Sequence, residues 1–413
     1  KLAGAFIFSQ AIEVGETTLP KLNKKSESYE ALLGDLGDWA AALGDSEKAK
    51  ANYKRYLSEY PKGRFSHLIE AKLDKLNFGT KQDMGTEDLL KIASKYPKEQ
   101  VGQKALVKAM KSLVAAKRYA DVLAMEPKTA GLPKDLASEA NGYVIKSEKE
   151  LFAAKLSSNE CKDALLLLSK KRITPLASEE PKLFDCYMAV GEMQKAYELA
   201  KKNLAVKDLS AKLPWLYKFE QSALRSGKTR DAYGASKDII ALSKIYKTDA
   251  YSPVAFDAAA LALEFKDPNL MADAIATLEA KHPRDPKSIT AYKNAVRYAI
   301  SRNDMLANLK YSEKLYNLQN QIKVFVESPW IEFNYAAALS KGGNHKKAAS
   351  VLQSALTHKM SDNDRARALF EISSNHTASG DKAGAKKAVE ECVKVRTDSS
   401  WRRLCKDSLD ILK

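Results

Sequence analysis

The most constraining feature of this sequence is a spaced pair of small residues that recurs along it. A turn residue is followed five positions later by alanine. Glycine holds the turn in five places: Gly44 before Ala49, Gly191 before Ala196, Gly227 before Ala232, Gly343 before Ala348 and Gly380 before Ala385. Other turn residues give the same step at Asn159 to Ala164, Asp267 to Ala272 and Arg302 to Ala307. From Ala164 onward the alanines are 32, 36, 40, 35, 41 and 37 residues apart. A period in that range marks units of one supersecondary element each, stacked because none buries its apolar face alone.

The clearest unit runs from Leu33 to Pro61. Gly37 lies in a first helical pattern, Gly44 reverses the chain, and Ala49, Tyr53 and Leu57 recur at helical spacing before Pro61. A small residue in each helix lets two antiparallel helices approach closely. Between Ala49 and Ala164, weaker turns near Gly85 and Lys117-Arg118 leave room for two more units, so the chain of 413 residues predicts about ten helical hairpins. The pattern resembles the tetratricopeptide repeat. That resemblance implies an all-α, right-handed α-solenoid over residues 1–398, with residues 399–413 as a C-terminal capping helix of the same domain, and it implies protein partners.

Further expectations concern particular segments. Residues 1–25 read as a helix and a connection broken by Gly15 and Pro20, and Asn77 to Thr86 as an irregular connection. The third hairpin has a short second helix, Tyr119 to Met125, stopped by Pro127, Gly131 and Pro133. Leu136 to Leu156 reads as an unusually long helix. Pro214 is expected at a first helical turn, where its missing N–H costs nothing. Lys1 is not an initiator Met and the apolar stretch after it is short for a signal peptide, so the sequence reads as a fragment whose N-terminal region lies elsewhere.

The net charge of +16 raises the question of nucleic acid. Lysine, however, outnumbers arginine 54 to 14 and is interleaved with acids in every repeat, as on solvated helix faces. A solubilising surface is the first reading, a docking surface for an acidic partner the second, and RNA binding the third. No run of uncharged apolar residues is long enough for a membrane span.

Four cysteines are present. Cys392 and Cys405 flank a connection centred on Thr397 to Ser400, which brings their thiols near each other across a hairpin. Cys161 and Cys186 flank a longer connection less symmetrically. Each pair is read as a possible disulfide against the alternative of buried free thiols, and a disulfide implies an oxidising compartment, such as the periplasm.

No metal-ligand spacing, phosphate loop or nucleophile motif appears among the five histidines and the acidic pairs, so no cofactor, small-molecule substrate or enzymatic activity is expected. The sequon at Asn375 falls in a helix and reads as silent. Counted from the turn glycines, Tyr217, Arg225, Trp330, Phe333, Arg367 and Phe370 fall on the groove side of the first helices. Aromatics beside arginine suit a protein-binding surface.

The Lys-rich, degenerate array ending in a short cap also resembles the C-terminal repeat region of the paralysed-flagellum proteins, the PflA family of Campylobacter and Helicobacter relatives. That resemblance implies a periplasmic scaffold of the flagellar motor that binds PflB and other motor components, supports stator recruitment, and follows an upstream β-rich domain. A periplasmic or secretion-system scaffold unrelated to flagella is the alternative.

Overall fold

The computed structural model describes residues 2–80 and 84–411. Lys1 and the last two residues assigned to the cap, Leu412 and Lys413, lie outside them. Among the described residues there are 22 α-helices and no strand. The helices fall into two compact units, Lys1–Lys182 and Leu183–Lys413.

The first unit contains α1 (Leu2–Thr18), α2 (Glu27–Ala42), α3 (Ser46–Glu59), α4 (Ser66–Thr80), α5 (Thr86–Lys95), α6 (Gln100–Ala115), α7 (Tyr119–Met125), α8 (Lys134–Ser157) and α9 (Cys161–Ser169). The helix α10 (Glu180–Val190) leads into the second unit. There follow α11 (Met193–Asn203), α12 (Leu209–Arg225), α13 (Thr229–Ile245), α14 (Val254–Glu264), α15 (Pro268–Lys281) and α16 (Ser288–Ser301). The unit continues with α17 (Met305–Ile322), α18 (Trp330–Lys341), α19 (His345–Ala355), α20 (Asp362–Ala378), α21 (Lys382–Lys394) and α22 (Ser400–Ile411). In chain order α2 to α21 make ten pairs, the number that the turn spacing predicts.

One backbone device closes nine of these pairs. The residue between the two helices is left-handed, with φ from 54° to 86°, at Gly44, Lys117, Asn159, Gly191, Gly227, Lys266, Asn303, Gly343 and Gly380. The next N–H reaches back five residues to a carbonyl of the first helix, as Asp45 N to Ala40 O at 3.0 Å and Asp381 N to His376 O at 2.8 Å. This is the Schellman termination, which satisfies carbonyls that a helix end leaves open. The residue after the turn then opens the second helix. Asp45, Asp267, Asp304 and Asp381 do so as N-caps, each accepting a hydrogen bond from a backbone N–H of the first turn.

Two turns differ from the sequence reading by one residue. The left-handed positions are Lys266 and Asn303, whereas Asp267 caps α15 and Arg302 ends α16 at φ −97°. At the first turn the capping Asp267 drew the reading past Lys266, and at the second Ala307 drew it to Arg302, one before Asn303. The slip moves the inward-facing position from Ala272, which is exposed, to Met271, which is 1% exposed, and from Ala307 to Asn308. Elsewhere the residue five past the turn is fully buried: Ala49, Val122, Ala164, Ala196, Ala232, Ala348 and Ala385.

Other helices run past their expected boundaries. Helix α1 continues past Gly15, whose missing Cβ admits Leu36 and Trp39; a Cβ there would lie 2.8 Å from Leu36 Cδ2. Helix α4 runs through Phe78 and Gly79 to Thr80. Pro214 sits inside α12, which begins five residues earlier at Leu209 under the Asp208 cap. Gly37 does what its place in the pattern implies, since a Cβ would stand 2.3 Å from Tyr53 Cε1 on the partner helix.

Several of the ties between neighbouring pairs span 34 residues. In the second unit Tyr197 donates to Asp231 and Tyr233 to Asp267, both at 2.7 Å, and Lys347 to Glu313 at 2.8 Å. In the first, Lys72 reaches Asp38 at 2.6 Å. Each exposed ion pair contributes little alone, about 0–1 kcal/mol; the buried apolar stripes carry the stacking. The last helix, α22, lies against α20 and α21, where Cys405 bonds to Cys392 with Cα atoms 6.1 Å apart.

The turns make opposite predictions for two substitutions. Lys117→Gly and Lys266→Gly each relieve a left-handed Cβ and raise unfolding free energy by about 0.5–1 kcal/mol, whereas Gly227→Ala lowers it by about 1 kcal/mol. Gly37→Ala costs roughly 1–3 kcal/mol by overpacking against Tyr53. Urea unfolding of the four variants checks the signs.

Candidate docking surfaces and buried acids

The first helices of the second unit position the six residues singled out from the sequence. Tyr217 is half-buried on α12 and packs against Tyr251, ring centroids 5.5 Å apart. Arg225 is exposed in the last turn of the same helix. Trp330 opens α18 half-buried, with Lys293 Nζ 5.3 Å and Arg297 Cζ 5.8 Å from its ring.

The remaining three converge. Phe333 is buried rather than exposed, because the Arg367 guanidinium lies over its ring at 4.1 Å. The same guanidinium stands 5.7 Å from Trp401 of α22, and Phe370 packs on Trp401 at 5.7 Å. Arg367 Nε is further held by Glu371 at 2.8 Å. A planar cation between two rings gains about 0.5–1 kcal/mol per face at such partly exposed sites. This cluster fastens α22 to α18 and α20. The sequence register was sound, but it could not show that a following helix occupies the face. Arg297 is exposed beside one face of Trp330 and makes the more open basic and aromatic patch, whereas Lys293 is paired with Glu327.

Cys392 and Cys405 are fully buried at their bond. Cys161 begins α9 half-buried, and Cys186 is buried in α10. Histidines mostly serve the scaffold: His282 meets Ser252 at 2.9 Å and packs on Phe256, and His376 faces Asp381 at 2.8 Å. Asn375 is buried, accepting from Ser340 at 2.6 Å and donating to Glu371 O at 2.8 Å, so its amide is committed to the core. Among the described residues there is no group of three or more metal-ligating side chains and no helix long and apolar enough to cross a membrane.

Three carboxylates in the core were not legible as such. Glu148 is fully buried and bound by Arg172 at 2.6 Å and Lys170 at 3.0 Å. Glu332 accepts from Gln319 at 2.6 Å. Glu220 has the poorest coordination. It is fully buried, meets only the Ser236 hydroxyl at 3.4 Å, and its Oε2 has no hydrogen-bond partner among the described residues. Burial first, and then the Asp257 charge, push its carboxyl up to about 8. The signal was available: Leu213, Leu216, Glu220 and Ala223 share one helical stripe.

Each unit holds a cavity between its helices. In the second unit, about 380 Å³ is lined by Ile240, Tyr251, Val254 and Ala276 under Lys244, Lys247 and Lys281. Asp273 and Asp249 pair with Lys244 and Lys281 at 2.6 and 2.8 Å. In the first unit, about 640 Å³ lies between α5, α6 and the end of α7.

Residues 27–63 match the family model described as tetratricopeptide repeat. That stretch is the α2–α3 hairpin, and the turn of that hairpin is repeated in eight other pairs. No curated protein matches the sequence. Among solved structures, BtubC (BKLC) from P. vanneervenii is similar at 12% identity and a TM-score of 0.30, covering 61% of this chain and 91% of that one. A tetratricopeptide repeat protein from Parabacteroides merdae gives 12% and 0.30, covering 65% and 98%. Yeast Tom70 gives 14% and 0.29, covering 98% and 92%.

Glu220 sets a pH dependence. The folded state holds this proton up to about pH 8, whereas the unfolded chain releases it near its ordinary value of about 4.3. Stability therefore falls as pH rises between those values and levels off above them. Glu220→Gln removes the fall: near-equal stability is expected at about pH 4, and a gain of up to about 5 kcal/mol over the native chain at about pH 9. Thermal or urea unfolding at the two pH values checks it.

Proposed function

We propose that this chain is a protein-docking scaffold rather than a catalyst. The observation that carries the reading is the tetratricopeptide hairpin at residues 27–63 with its turn geometry repeated through both units. Repeated hairpins consume their apolar stripes in stacking and leave first-helix faces free to carry side chains for a partner. The exposed Arg297 beside Trp330 suits a protein surface bearing acidic and apolar groups.

The finer reading places the scaffold in the periplasm, as a component of the bacterial flagellar motor that binds PflB and supports stator recruitment. The Cys392–Cys405 bond supports an oxidising compartment. The motor assignment rests on the family resemblance of the array.

Each level has its own test. A peptide pair linked through Cys392 and Cys405, seen by mass spectrometry without reductant in protein from its native compartment, supports the periplasm; free thiols there defeat it. Cross-linking in flagellated cells is expected to join the chain to PflB, and its deletion to stop swimming while filaments persist. Normal swimming removes the motor reading. Salt-sensitive retention on RNA, with no protein cross-link, removes the scaffold reading itself.

A further inference from the structure

The short helix α7 leaves a groove, and we propose that it takes an acidic amphipathic helix of a protein partner. This deepens the scaffold reading and rests on it. Helix α6 has 16 residues and spans about 24 Å, while α7 has seven and spans about 10 Å. Counting equally from the turn at Lys117 sets Met125, the last residue of α7, opposite Ala109. The N-terminal half of α6 has no continuation of α7 opposite it, because Glu126–Thr129 tightens into a 3₁₀ turn.

The space left is a cavity of about 640 Å³, within the range of about 300–1,000 Å³ common to ligand sites. Its floor is apolar: Leu90 and Ala93 from α5, Leu106 from α6, and Met125. Leu106 is 6% and Met125 8% exposed, so the floor is packed in place and is not a loose surface patch. Methionine and leucine floors accept varied aliphatic side chains.

The rim selects the charge. Lys91 and Lys128 stand exposed at the edge with no carboxylate partner among the described residues. Glu87, the acid of the lining, faces Arg118 at 3.9 Å. Two unpaired ammonium groups over an aliphatic floor complement a helix with leucines at i, i+4 and i+7 and glutamates beside them.

Three labelled, lactam-bridged synthetic helices serve as probes: a Leu/Glu peptide of that pattern, a permuted peptide of the same composition without an apolar face, and a Leu/Lys peptide. Fluorescence anisotropy is expected to show micromolar binding of the first and at least tenfold weaker binding of the others. Lys91→Glu with Lys128→Glu should weaken the first peptide about tenfold and reduce its salt dependence. Ala93→Trp, with an unchanged melting curve, should block it. Hydrogen exchange should slow in α5 and the first half of α6 on binding. No binding, equal binding of the permuted or Leu/Lys peptide, indifference to both variants, or protection confined to other helices overturns the proposal. If these fail while a cellular partner still cross-links to the chain, the groove is wrong and the scaffold reading stands.

Discussion

Everything in both units depends on a backbone hydrogen bond that no side chain makes. The N–H after each left-handed residue reaches a carbonyl five residues back, at 2.8–3.0 Å in nine turns. That bond fixes where the first helix stops and the angle at which the second leaves. The residue five beyond the turn then points into the pair, where a compact side chain fits best. Alanine fills this place in six of the nine, with no exposed surface. Packing follows from the turn, and stacking between pairs follows from packing.

This order explains what the sequence revealed and what it hid. The five turn glycines were legible because a left-handed residue favours glycine, and all five have positive φ. Lys266 was displaced by one because the capping Asp267 beside it is stronger punctuation, and Asn303 because Ala307 fitted the alanine rhythm when counted from Arg302. Gly15 was misread as a break, since it serves a close helix contact, and Pro214 as a helix start, since it falls inside a helix already begun under Asp208.

The candidate surface was legible in register but not in occupancy. Counting from Gly343 and Gly380 brought Phe333, Arg367 and Phe370 to one face. Only the structure shows α22 lying over that face, with Trp401 beside Arg367. Spacing within a repeat cannot report what a later helix covers. The short α7, by contrast, was readable from Pro127, Gly131 and Pro133, and the cavity beside it is the direct result.

The presence of lysine at two of the nine turns also bears on cooperativity. Each left-handed lysine costs its hairpin about 1 kcal/mol that a glycine hairpin does not spend. In a quasi-one-dimensional stack, such local differences are not averaged over the whole chain. Heat should therefore melt the array in blocks, with a calorimetric enthalpy larger than the van't Hoff value from the width of the transition.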